Sequence, residues 1–268
     1  MIELKGVTKR YRRTGDLAEH TALSAVDLHV SAGEFVCVLG PSGCGKSTLL
    51  NLIAGFLPPA TGEILFERQA VIKPGPERGV VFQDPTLFPW LTVRANVEFG
   101  LRAAGMPKID RRRAAAAALH LVGLDGFEEV YPHTLSGGMR QRVALARVLV
   151  LEPKALLMDE PFGALDANSR ERLQDELVRL WQRHRRTILF VTHNVEEAAY
   201  LADRVVVMGP PPESIYGEVV VEVPRPRQRT ATDLHQIIAK LRDVLDEMPC
   251  CLAPHGGVET CERHSAGK

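Results

Sequence analysis

The chain has 268 residues, 45% of them hydrophobic and 25% charged, which is the balance of a globular protein able to bury an α/β core with room for a subdomain. Basic and acidic residues number 33 each, so the formal net charge is zero and no overall basic field draws the chain to nucleic acid. No apolar run reaches the ~18 residues needed to span a bilayer, and Met1-Ile2-Glu3-Leu4-Lys5 lacks the apolar stretch of a secretion signal, which points to a reducing cytosol.

Ile2 to Tyr11 and Ala22 to Val30 alternate in polarity and predict antiparallel strands. Phe35–Leu39 is a continuous apolar run, as expected for a parallel strand buried on both faces. It feeds Gly40-Pro41-Ser42-Gly43-Cys44-Gly45-Lys46-Ser47-Thr48, and a helix is predicted over Ser47–Ala54. Small residues let the loop's N–H groups turn inward around an anion, and the helix N-terminus adds partial positive charge. In that arrangement Lys46 meets the β- and γ-phosphates of a nucleotide and Ser47 offers a hydroxyl to Mg²⁺. All nine residues from Gly40 to Thr48 are therefore candidate nucleotide ligands. The Cys44 thiol, at a helix start and two residues from Lys46, is expected to be reactive until phosphate covers it.

A turn at 58–62 leads to strands over Glu63–Phe66 and Gly79–Gln83, after which the character changes. Helices are predicted over Asn96–Ala104, over Arg111–Val122 with Asp110 as cap and Gly123 as stop, and over Ser136–Leu151. Strands then return at Ala155–Met158, Thr187–Val191 and Val205–Met208, with helices over Arg170–Arg185 and Val195–Ala202 between them. This alternation implies an α/β fold whose mainly parallel sheet is interrupted by a helical insert at about 89–152. Beyond Pro224-Arg225-Pro226-Arg227 the chain reads as a linker and an amphipathic helix over Asp233–Met248, so 228–268 is set apart from the domain at 1–227. Of the five cysteines, Cys37 lies in a core strand. Cys250, Cys251 and Cys261 lie in the tail near His255 and His264, in a spacing that fits no common zinc template.

The apolar run Ala155–Met158 ends in Asp159-Glu160. Asp159 suits magnesium, which takes hard oxygen ligands, and Glu160 suits orientation or deprotonation of an attacking water. Leu135-Ser136-Gly137-Gly138-Met139-Arg140-Gln141-Arg142 supplies a second hydroxyl and exposed amides at a helix start. An ordinary serine cap would use the same residues.

These eight residues resemble the signature of the ATP-binding-cassette (ABC) ATPases, and the resemblance extends from about Ile2 to Arg227. It implies a P-loop NTPase (RecA-like) core with an antiparallel β subdomain and an inserted α-helical subdomain, binding ATP and Mg²⁺. Tyr11 resembles the aromatic that stacks on adenine. Gln83 resembles the glutamine that senses the γ-phosphate and Mg²⁺, and His193 the switch histidine at the γ-phosphate. Gly163-Ala164-Leu165-Asp166 resembles the loop that contacts the opposite cassette, with glycine where serine is commoner. The resemblance further implies two cassettes head to tail, each ATP lying between Gly40–Thr48 of one and Ser136–Gly138 of the other. One copy of each motif implies a homodimer, or pairing with a sister cassette.

With no membrane span in the chain, a transporter role requires separate transmembrane permease subunits. The insert is short for the coiled coil of the DNA-repair branch, and the translation branch carries two tandem cassettes. Phe88-Pro89-Trp90 is costly to leave in water and should meet a permease helix, or else pack on the helical insert. With Asp159–Ser169 and Thr192–Ala198 it resembles importer ATPases for nitrate, aliphatic sulfonates and taurine. The expected place of work is the cytoplasmic face of the inner membrane, with a periplasmic solute-binding protein acting only through the permeases. The ATPase of another ABC importer or of an exporter, and a non-transport ABC ATPase, are the remaining readings.

Overall fold

A computed structural model describes residues 1–12 and 19–248. Its first part runs β1 (Ile2–Arg12), β2 (Glu19–Val30), β3 (Phe35–Leu39), α1 (Lys46–Ala54), β4 (Thr61–Phe66), β5 (Gln69–Ala70) and β6 (Arg78–Val81). A helical stretch follows, with α2 (Val93–Ala103), α3 (Lys108–Leu121), a 3-10 turn at Pro132–Thr134 and α4 (Gly137–Leu149). The chain then alternates through β7 (Ala155–Asp159), α5 (Ala167–His184), β8 (Thr187–Thr192), α6 (Val195–Leu201) and β9 (Arg204–Met208), before β10 (Ile215–Val220) and α7 (Thr232–Asp246).

The strands form an antiparallel sheet ordered β2-β1-β4-β5 and a six-stranded sheet ordered β10-β9-β3-β8-β7-β6. In the second, β9, β3, β8, β7 and β6 run parallel and β10 closes one edge antiparallel. Alternate residues of each central strand feed two cores. Phe35, Cys37 and Leu39 of β3, with Ile188 and Phe190 of β8, pack against Leu177, Trp181 and Leu201 of the helices. Val36, Val38, Leu189 and Val191 face the opposite way, onto α1 and the antiparallel sheet through Leu49, Ile53, Leu4 and Leu28. A sheet covered on both faces explains the unbroken apolar runs at β3, β7 and β8. Each fully buried Leu, Val or Phe contributes roughly 1.5–3 kcal/mol of transfer free energy.

The expected organisation of a mainly parallel sheet, an antiparallel subdomain and a helical insert is present, with shifted boundaries. β6 ends at Val81, leaving Phe82 and Gln83 beyond the strand rather than in it. Asp110 does not cap α3. The helix starts at Lys108 behind Pro107, whose φ is −57° and whose carbonyl accepts from the Arg111 N–H at 3.0 Å. Asp110 instead sits in the first turn, where a carboxylate favours the positive end of the helix. α2 begins at Val93, three residues before the expected start, because Thr92 accepts from the Ala95 N–H. The short β5 and the half-exposed β10 were not anticipated, since neither carries a long apolar or alternating run.

The segment after β10 is bound to the domain. The Arg227 guanidinium, buried, donates to the carbonyls of Ala199, Tyr200 and Ala202 at the end of α6 and to Val221, while its Nε donates to Val223. This satisfies acceptors that a helix C-terminus leaves open. Burial lowers its pKa to about 10, which leaves it charged at neutral pH. Leu234, Ile238 and Leu241 of α7 join the same core as α5 and α6. Cys250, Cys251, Cys261, His255 and His264 lie outside the described residues.

Candidate active site

Strand register collects the sequence-predicted residues along one edge. Leu39, the last residue of β3, pairs with Thr192 of β8 and Val207 of β9. Asp159 of β7 pairs with Val191, and Met158 pairs with Val81 of β6. The residues that follow these strand ends are Gly40 after β3, Gln83 after β6, Glu160 after β7 and His193 after β8. They share the carboxyl edge of the parallel strands, where open α/β sheets bind ligands.

The loop from Gly40 to Gly45 is shaped by close approach. A Cβ on Gly40 would lie 2.2 Å from the Met208 carbonyl oxygen, and one on Gly45, at φ 102°, 2.5 Å from the Ala22 carbonyl oxygen. Neither position accepts a side chain without moving backbone. The Lys46 ammonium, buried, donates to the carbonyls of Gly40 at 2.9 Å and Pro41 at 2.8 Å, so the cation is held across the loop mouth. Pro41, Ser42, Gly43 and Ser47 are exposed around it and Thr48 is half-buried. Cys44 departs from the expected reactive thiol. It is 2% exposed and joins the core with Val36, Val38 and Leu49. The loop turns its Sγ toward Gly40 and into the core.

Behind the loop, the Ser47 hydroxyl lies near the Asp159 carboxylate. Burial raises the Asp159 pKa; the Ser47 hydroxyl and nearby Lys46 oppose the rise, and adjacent Glu160 adds to it. A serine hydroxyl beside a carboxylate, with the Gln83 amide on the neighbouring strand end, is a hard-oxygen donor set that fits Mg²⁺. Glu160 has φ 43°, in the left-handed region that a non-glycine residue occupies at a cost of about 1 kcal/mol or more. Its N–H donates to the Val191 carbonyl and its own carbonyl accepts from Gly163, so both sides of the strained residue are fixed. The side chain that results lies against β8's exit, with Glu160 Oε2 3.0 Å from Nδ1 of the exposed His193.

Ser136 caps α4, its Oγ accepting from the Met139 N–H at 3.3 Å, and the exposed cap stands beside the half-buried Gly137 and Gly138. A Cβ on Gly138 would touch Leu165 at 3.0 Å, so the signature helix packs directly on the 163–166 loop. Asp166 caps α5 by accepting from the Ser169 N–H at 2.9 Å, and its bonds with Ser169 hold its pKa below the usual carboxylate value. α5 consequently begins at Ala167, three residues ahead of the expected start. Tyr11 lies on β1 with its ring exposed and the Lys9 ammonium 5.5 Å from its centroid.

Trp90 is 71% exposed, so the reading in which it packs into the insert is overturned. Its ring rests on Phe88, which contacts Phe99 at a centroid separation of 4.5 Å. Asn96, read in the sequence as a helix start, is the residue that builds this knob. Fully buried, it accepts from the Phe88 N–H and donates to the carbonyls of Phe88, Leu91 and Thr92. Two more residues were missed. Gln141 of α4 donates to the Phe82 carbonyl, next to Gln83, and Arg147 of α4 donates to the carbonyls of Pro85 and Thr86. A polar amide at the helical spacing of core positions is the signal that could have marked Gln141; Arg147 carries none in the sequence. Among the described residues no helix is long and apolar enough to cross a membrane.

Residues 23–163 match the family model described as ABC transporter. A nitrate import ATP-binding protein of Synechocystis is 51% identical over 78% of this chain and 80% of its own length. A taurine import ATP-binding protein of Yersinia pestis is 52% identical over 72% of this chain and 76% of its own. Among solved structures, the dimeric ATP-binding cassette MJ0796 in a post-hydrolysis state bound to ADP and Pi superposes with a TM-score of 0.76. It is 33% identical and covers 84% of this chain and all of that one.

Proposed function

The chain belongs to the ABC transporter family as an ATP-binding, ATP-hydrolysing subunit, and from that premise we propose that it powers an importer of small oxyanions, nitrate or taurine-like aliphatic sulfonates. The observation that carries the reading is the shared carboxyl edge on which the glycine loop, Asp159, Glu160 and His193 converge, with Glu160 and His193 in contact. The solute class rests on the similarity to both a nitrate and a taurine import subunit at about equal identity.

In this reading the backbone N–H groups of Gly40–Thr48 and the Lys46 ammonium hold the β- and γ-phosphates, and the Tyr11 ring stacks on adenine. Magnesium, when bound, neutralises phosphate charge, and Ser47, Gln83 and Asp159 are the residues that would hold it. Glu160 orients a water in line with the bond between the γ-phosphorus and the β-bridging oxygen. As the water oxygen attacks phosphorus, that bond breaks toward ADP and the water's proton passes to the Glu160 carboxylate. His193, whose Nδ1 lies 3.0 Å from Glu160 Oε2, would stand between the base and the γ-phosphate. Gln83 senses the same phosphate from the neighbouring strand end.

Ser136, Gly137 and Gly138, at the start of α4, and Asp166, at the start of α5, would close over ATP held by the loop of a second cassette, a copy of this chain or a sister subunit. The dimeric state of the MJ0796 cassette supports that arrangement. The exposed Phe88-Pro89-Trp90 knob would meet the transmembrane permease subunits, placing the protein at the cytoplasmic face of the membrane. A periplasmic solute-binding protein would deliver solute to those permeases without touching this chain. The test is reconstitution with the permeases and binding protein in vesicles. ATP turnover should rise with nitrate or with an aliphatic sulfonate; turnover that rises only with a solute of another chemistry overturns the solute class.

A further inference from the structure

Glu197, on the first turns of α6, is buried and lies outside the residues assigned to the reaction. It nevertheless touches both neighbours of His193. The Thr192 hydroxyl donates to Glu197 Oε2 at 2.5 Å. The Glu197 N–H donates to the Asn194 side chain at 2.7 Å, and the Asn194 N–H donates back to the Thr192 hydroxyl at 3.0 Å. These three bonds close a ring around the His193 backbone. A fourth fixes the ring to the domain: Gln174 Nε2 of α5 donates to Glu197 Oε1 at 2.9 Å. Gln174 accepts in turn from Arg229 at 3.2 Å, in the segment that leads to α7.

We propose that Glu197 is a positioning residue for His193, its carboxylate clamping the turn that carries the imidazole to α5 so that Nδ1 stays within reach of Glu160. The inference rests on the role given to His193 above. Three features of the site argue for it. The carboxylate is removed from water and, among the described residues, forms no ion pair at contact distance, Arg170 and His193 acting only from further off, so the donors from Thr192 and Gln174 are its direct partners. Those donors come from different elements, β8 and α5, so the carboxylate ties the strand exit to the helix that Asp166 caps. Between the two clamped neighbours His193 itself stays exposed, its side chain 60% accessible, with Glu160 its polar side-chain contact among the described residues. A short apolar side chain at position 197 would leave the Thr192 hydroxyl and the Gln174 amide without their buried acceptor and free the turn.

The test measures steady-state ATP hydrolysis and fluorescent-ATP affinity of the full-length protein carrying His193→Ala, Glu197→Ala, Glu197→Gln and the double variant His193→Ala/Glu197→Ala. Misplacing a reacting group by about an ångström costs on the order of 100-fold in rate. Glu197→Ala is therefore expected to lower kcat by roughly 10- to 100-fold while ATP affinity stays within about threefold. Glu197→Gln, which keeps an acceptor for Thr192 and can donate to the Gln174 amide oxygen once that amide turns over, restores most of the rate. The decisive comparison is the double variant: adding Glu197→Ala to His193→Ala should cost nothing further. Equal losses in both backgrounds mean that Glu197 supports the fold generally, and the proposal fails. Full activity of Glu197→Ala beside an inactive His193→Ala also overturns it. Full activity of His193→Ala refutes the role of His193 instead, a separate failure. If Glu197→Ala does not fold, Gln174→Leu cuts the anchor to α5 and is read by the same cycle with His193→Ala.

Discussion

Nδ1 of His193 and Oε2 of Glu160 are 3.0 Å apart, although the two residues are separated by α5 and β8 in sequence. The left-handed turn at Glu160 and the pairing of Asp159 with Val191 create this contact, since each residue is the first to leave its strand. If Glu160 is the base and His193 its link to the γ-phosphate, as proposed, disturbing either partner should be felt in turnover more than in nucleotide binding.

Lys46→Ala removes the cation at the loop mouth. Among the described residues the lysine donates to the Gly40 and Pro41 carbonyls of its own loop, so the fold should survive, with circular dichroism unchanged. Losing a charge-assisted contact to phosphate costs about 1.5–3 kcal/mol, a roughly 10- to 150-fold loss of ATP affinity, and hydrolysis should fall below detection. Retained hydrolysis in a folded variant contradicts the phosphate-loop assignment.

Trp90→Ala separates motor from coupling. With its side chain 71% exposed, the tryptophan contributes little to the core, and the melting temperature should move by no more than a degree or two. ATPase activity of the isolated subunit should persist, while solute uptake by the assembled transporter drops. A large loss of stability would return Trp90 to a packing role.

Cys44 and Cys37 are both buried, so the native protein should label slowly with a maleimide at either position and rapidly only after unfolding. Peptide mapping after brief labelling checks this. Fast, stoichiometric modification of Cys44 in the folded protein, with loss of ATPase activity, would show that the thiol faces the phosphate side.

Burial pushes the Glu197 carboxyl above the ordinary value of 4.5, against the pull of Thr192 and Gln174. A raised native pKa means the folded state holds the proton more tightly than the unfolded chain. Its contribution to stability is present below 4.5 and is lost as pH rises through the native pKa. The melting temperature of the wild type relative to Glu197→Gln should therefore decline as pH rises from about 4 to about 7. A difference that stays constant, or turns in favour of the wild type, contradicts the direction of the shift.

Much of this was legible in the chain because the relevant signals are local. The glycine loop, the apolar strands at β3, β7 and β8, and the residues at their exits can be read from a few consecutive positions. What escaped depends on contacts across the fold. Asn96, Gln141 and Glu197 look like ordinary helical polar residues until packing encloses them and backbone or side-chain partners appear from distant segments. Cys44 was misjudged because spacing gives its distance from Lys46 and leaves open which side of the loop its thiol faces. The start of α3 was misplaced because an aspartate was preferred over a proline whose fixed φ already suits a helix entrance.

The central claim is that Glu160 takes the proton from water in a cassette that closes on ATP as a dimer. Glu160→Gln keeps the shape and hydrogen-bonding reach of the side chain but removes the base. With Mg-ATP, this variant should bind nucleotide with near wild-type affinity, and kcat should fall at least ~100-fold, the lower range for loss of a general base. It should elute from size-exclusion chromatography as a stable dimer holding two ATP, and as a monomer without nucleotide. Turnover like that of the wild type, together with a monomer at saturating ATP, would contradict the account.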